Sequence, residues 1–173
     1  MCVSVCQTFI LLLDFDSVYF SIAMGGTLAH EMMHAWLKLQ GCKPWEWERR
    51  VEEGICQVMK YKWMEWFCSS SDFDSWYKTN EQAQYARKLK EYQVQVMERW
   101  VDKVYGQGFR DAMKAVEMFG FETTLHYIVE KGKFPRSQPP PVPIPRTPRD
   151  ERWKGAVCAV AHIALVFLLM KAR

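Results

Sequence analysis

The stretch LAHEMMHAW, residues 28–36, places His30 and His34 four apart, with Glu31 directly after the first histidine. On an α-helix, residues i and i+4 stand one above the other on a single face. Two imidazoles at that spacing can converge on one Zn²⁺ at about 2.0–2.1 Å. Glu31 projects roughly 100° away, along the flank of that face. It reaches the edge of the site without joining the ligands, where a carboxylate can accept a proton from water. The plainer reading is a helix face with two partly buried histidines bonded to backbone or carboxylate. Only a third ligand elsewhere in the chain separates the two.

That ligand is offered by VEEGICQ, residues 51–57, which carries Glu52 and Glu53 on the next apolar-periodic segment. Eighteen residues lie between His34 and Glu53. The spacing resembles that of the gluzincins, in which a glutamate on the following helix closes the site. The dipeptide Glu53-Gly54 is similar to the ligand motif of gluzincin aminopeptidases, and a glycine there admits a second backbone close by. Glu53 is the expected ligand and Glu52 the other candidate. Both are otherwise solvated helix charges.

A closer resemblance extends over roughly two-thirds of the chain, from about Gly25 to Pro135. GGTLAHEMMHAWLKLQGCK, VEEGICQVMKYKWM and YGQGFRDAMKAVEMFGFETTLHYIVEKGKFP together resemble the peptidase domain of the plant DA1 and DA1-related proteins. The resemblance implies zinc peptidases that limit organ growth, are switched on by ubiquitination, and cleave growth regulators and ubiquitin-pathway proteins. It implies His30 and His34 as ligands, Glu31 as catalytic base and Glu53 as third ligand. Proteins of that family carry ubiquitin-interacting motifs and a LIM domain ahead of the peptidase. Neither pattern occurs in these 173 residues.

Gln57 stands four residues after Glu53, where its amide can orient a ligand histidine. Tyr105, in YGQGF, is a candidate donor to a tetrahedral oxyanion, or else a helix-end tyrosine packed on the core. Trp36, Trp63 and Trp66 read as core rather than as a substrate cage.

The remaining sequence supplies a body for such a site. Thr27 follows Gly25-Gly26 and reads as an N-cap, opening a helix over 28–40 that Gly41 closes. Val51, Ile55, Val58, Met59, Trp63 and Trp66 recur at helical spacing over 47–68. Residues 68–75 read as a loop. A long charged helix is expected over 76–105, broken by Gly106 and Gly108. Helices over 109–119 and 122–131 end at Gly120 and Gly132. Ahead of all this, residues 1–24 form an atypical apolar segment, with 17–23 the candidate β-strand. The run TFILLL, residues 8–13, lacks a basic flank and meets Asp14 and Asp16, so it does not read as a secretory leader.

Residues 135–148 contain seven prolines, which disfavour helix and sheet and favour an extended linker. The expected organisation is therefore an N-terminal segment (1–24), a peptidase-like domain (25–134), a Pro-rich linker (135–150) and an apolar tail (151–173). Residues 155–170 are uncharged, but as a helix they span roughly 24 Å, short of the about 30 Å hydrocarbon core. A membrane anchor is one reading of that tail. A segment packed on the core or on a partner is the other.

Net charge is +3, too small to argue for nucleic acid. The six cysteines form no CxxC pair, which excludes a zinc ribbon or thioredoxin motif and suggests reduced thiols in the cytoplasm. The expected fold is mainly α, a zincin-like metallopeptidase helical domain with at most a small, truncated N-terminal β element. The expected function is zinc-dependent peptide-bond hydrolysis, with Zn²⁺ as cofactor and protein substrates, ubiquitin or ubiquitinated proteins among them. The alternative is a catalytically inactive, truncated paralogue serving as a protein-binding adaptor.

Overall fold

Apolar residues at helical spacing along 49–69 make one helix that neighbours can cover from several sides. In the structure, a computed structural model, residues 22–41, 47–69 and 79–136 are described. They form α1 (22–39), α2 (Arg49–Ser69), α3 (Asn80–Arg99), α4 (Tyr105–Phe119) and α5 (Phe121–Lys131). No strand occurs among the described residues, and the mainly α expectation holds. Val51, Ile55, Val58, Met59 and Trp63 are buried as their spacing predicts. Trp66 is not core: it is 46% exposed, on the outer side of α2. Burial of each large apolar side chain contributes about 1.5–3 kcal/mol.

Two close approaches set how the helices meet. A Cβ on Gly54 would lie 2.6 Å from the carbonyl carbon of Gly108, and one on Gly108 would lie 2.5 Å from the Arg50 carbonyl oxygen. Real side chains do not tolerate either distance, so glycine on both helices lets the backbones of α2 and α4 touch. This contact is the most extensive among α2 to α5. On the other side of α2, Gly25 lies against the Trp63 indole, which would collide with any Cβ there. Trp63 is also stacked on Phe67, centroids 5.0 Å apart. The Gly25–Trp63 contact brings α1 close to α2.

Several sequence expectations are corrected here. Gly25, Gly26 and Thr27 do not break the chain but lie inside α1. Thr27 is no N-cap; its hydroxyl donates to the Ala23 carbonyl at 2.9 Å, a bond within the helix. Of the candidate strand 17–23, Ile22 and Ala23 are helical and the rest lies outside the described residues. The long helix expected over 76–105 stops at Arg99, and Gly106 and Gly108 lie within α4 rather than breaking anything.

The true break, residues 100–104, is fixed by two side chains. Arg110 Nη1 donates to the carbonyls of Glu98 and Trp100, each at 2.8 Å, and satisfies the end of α3. The Asp102 carboxylate accepts from the N–H groups of Val104 and Tyr105, at 2.8 and 2.7 Å, and starts α4. The start of α3 carries a capping box. Thr79 Oγ1 accepts from Gln82 N–H at 3.2 Å, and Gln82 Oε1 accepts from Thr79 N–H at 3.3 Å.

Gly41, Gly120 and Gly132 have positive φ and end their helices as expected. No helix among the described residues is long and apolar enough to cross a membrane. Residues 155–170 and the Pro-rich stretch beyond Arg136 lie outside the described residues.

Candidate metal centre

Five polar side chains are buried among the described residues, and three of them, His30, Glu53 and Gln57, belong to α1 and α2 where the sequence places the site. Burying polar groups costs stability unless something satisfies them. His30 and His34 leave α1 on one face. Glu53 leaves α2, one residue into its second turn. The Nε2 atoms of His30 and His34 are 3.2 Å apart. Glu53 Oε2 lies 3.3 Å from the first and 3.4 Å from the second. The three atoms form a nearly equilateral triangle. Donors bound tetrahedrally to an ion at about 2.0–2.1 Å stand about 3.3–3.4 Å apart. The observed triangle has the size of one face of such a tetrahedron. Glu53 Oε2 is buried and accepts no hydrogen bond, and the three donor atoms form a group that could hold a metal ion.

Glu52 has a different place. Its Oε1 accepts from His34 Nδ1 at 2.8 Å. A carboxylate only accepts, so His34 Nδ1 is the donor in that bond, and Nε2 is the ring nitrogen that faces Glu53 and His30. The two neighbouring glutamates, both candidates on spacing alone, thus divide the work: Glu53 faces the donor triangle and Glu52 orients a histidine. The sequence reading missed Glu52 in this role, although a carboxylate beside a ligand is the ordinary signal for it.

The electrostatics at His30 favour its neutral form. Burial first, then the adjacent His34, holds His30 below the usual histidine range, against the opposing pull of Glu53 and Glu31. Glu31 is exposed on α1, beside His30. Cys56, also near these carboxylates, is buried, and burial pushes its thiol far up. Cys68 is pushed up to about 11, mainly by burial. Neither is a thiolate nucleophile at neutral pH.

Gln57 is buried with its Oε1 unpartnered, and His30 Nδ1 is likewise buried and unpartnered. Tyr105 lies at the start of α4. Its hydroxyl accepts from Arg49 Nη2 at 3.1 Å, and Arg49 Nε lies 3.7 Å from Glu53 Oε1. Trp63 is core, and Trp36 packs against it half-buried.

Fold and site together define a helical domain whose first two helices bring two imidazoles and a carboxylate to one point. A family model, DA1-like (Protein DA1), matches residues 19–131, a span that includes all four HExxH-E residues. The chain belongs to the DA1-like family. It is 40% identical to Protein DA1 of Arabidopsis thaliana over 121 residues, covering 64% of this chain and 22% of that protein. Protein DA1-related 1 of the same plant is 37% identical over 124 residues, with 64% and 22% covered. The LIM domain-containing protein HDR3 of Oryza sativa subsp. japonica is 33% identical over 129 residues, with 64% and 25% covered. The chain thus spans about a quarter or less of the length of these curated relatives. No solved structure matches it.

Proposed function

We propose that this chain is a zinc-dependent peptidase domain that hydrolyses peptide bonds, with Glu31 as general base. The observation that carries the reading is the triangle of His30 Nε2, His34 Nε2 and Glu53 Oε2, with sides of 3.2–3.4 Å. Two histidines and a glutamate are a catalytic zinc set that leaves a fourth position open. A zinc ion held there supplies a Lewis acid that acidifies water and polarises a carbonyl. Glu31, exposed beside His30 and outside the ligand set, takes the proton from the attacking water and passes it to the departing amine. Glu52 holds His34 in the donating tautomer. Gln57, buried four residues after Glu53 on α2, is the candidate to orient a ligand histidine through its amide.

Protein substrates, ubiquitinated proteins among them, and a role in limiting growth follow from the family and form part of the proposal. So does a cytoplasmic location. The test is zinc content together with cleavage of a ubiquitinated or unfolded protein, compared with Glu31→Gln. The variant should keep its zinc and lose about 10²–10⁴ in rate. Undiminished cleavage would remove Glu31 from the mechanism. Binding of ubiquitinated protein by a folded chain that holds no zinc and cleaves nothing would favour the adaptor.

A further inference from the structure

Arg49 opens α2, one turn before Glu53. Its Nε lies 3.7 Å from Glu53 Oε1, an ion-pair distance, while Oε2 is the oxygen near the histidines. Its Nη2 donates to the Tyr105 hydroxyl at 3.1 Å. Tyr105 in turn opens α4 and stacks on Trp100, with ring centroids 5.4 Å apart and planes 14° apart. The guanidinium carbon lies 5.9 Å from the centre of the Tyr105 ring. At that distance the cation–π contact is at the edge of its range, and the hydrogen bond to the hydroxyl is the closer contact. A chain of contacts runs from the α3–α4 junction, through Tyr105 and Arg49, to the outer oxygen of Glu53.

The terminal torsion of a glutamate is a broad, soft rotor. A carboxylate fixed at one oxygen presents the other in a defined direction. We propose that Arg49 is a positioning residue, which Tyr105 holds so that Glu53 Oε2 faces the paired histidine nitrogens before an ion arrives. This rests on reading His30, His34 and Glu53 as a metal site.

One effect runs the other way, because a guanidinium repels a metal cation. The Arg49 side chain is 70% exposed, so water screens that repulsion. Orientation then decides the sign. Tyr105→Phe separates the two effects. It keeps the positive charge and the ring stack and removes only the acceptor that steadies Arg49.

The experiment is Zn²⁺ titration of the full 173-residue chain against a chromophoric chelator, with helical content checked by circular dichroism. Four proteins are compared: wild type, Arg49→Met, Tyr105→Phe and the double variant. Arg49→Met should weaken Zn²⁺ binding about fivefold, and Tyr105→Phe about twofold. The double variant should bind no more weakly than Arg49→Met, because Tyr105 acts only through Arg49. Equal or tighter binding by Arg49→Met overturns the proposal, as does a Tyr105→Phe loss that adds in full to that of Arg49→Met. A folded wild type that takes up no Zn²⁺ overturns the metal site itself and Arg49's role with it, a result distinct from a variant that matches a zinc-binding wild type.

Discussion

Gly54→Ala is the substitution that most directly links the fold to the site. The new methyl group would stand 2.6 Å from the Gly108 carbonyl carbon, where ordinary contact begins near ~3.4 Å. The obstacle is backbone, so α2 and α4 have to separate by about 1 Å. Overpacking of this kind costs about 1–3 kcal/mol, and the upper end applies where no side chain can swing aside. Alanine's helix propensity returns about 1 kcal/mol. The net loss is about 2 kcal/mol, or roughly 10 °C in the unfolding midpoint of a domain this size.

Gly26→Ala is the control. Its methyl group meets the flexible Lys60 side chain at 3.3 Å, which can move, so the propensity gain dominates and stability holds or rises. Thermal unfolding followed at 222 nm reads both variants. Because Glu53 adjoins Gly54, Zn²⁺ affinity should fall in Gly54→Ala and stay put in Gly26→Ala. A Gly54→Ala protein as stable as wild type would refute the backbone contact as the reason for glycine.

Glu52→Gln should leave the fold intact and weaken Zn²⁺ binding about 10–100-fold, read by chelator competition, because the carboxylate that fixes the His34 tautomer is gone. Thr79→Ala should lower stability by about 1 kcal/mol in a chemical denaturation curve, since it removes half of a capping box. Thr27→Ala should change stability by less than about 0.5 kcal/mol in the same assay, because Thr27 is interior to α1 and caps nothing. A loss as large as that of Thr79→Ala would restore the N-cap reading.

The parts of the molecule that were readable in advance are the local ones. His30 and His34 share a helix face by spacing alone, and Gly120 and Gly132 end helices because a positive φ is a property of the residue itself. Glu53 was reachable because its helix follows directly in the chain. The misread positions depend on partners far away in sequence. Gly25 and Gly108 look like helix breakers, yet each marks a place where another helix crosses closely.

Glu52 and Glu53 differ by one residue on a helix, about 100° in direction. Which of them meets the donor triangle depends on how α2 is rotated against α1, and spacing does not carry that. The end of α3 was invisible for the same reason, since Arg110 satisfies its carbonyls from ten and twelve residues further on. Arg49 and Tyr105, 56 residues apart, gave no sign of their contact.

The central claim is that His30, His34 and Glu53 hold one metal ion between α1 and α2. Its most direct test is the zinc content of the purified, zinc-replete chain by elemental mass spectrometry, beside Glu53→Ala. The account predicts about one zinc per wild-type chain, and little or none in a Glu53→Ala protein that keeps its helical spectrum. A folded wild type without zinc, or a Glu53→Ala chain that holds as much as wild type, would contradict it.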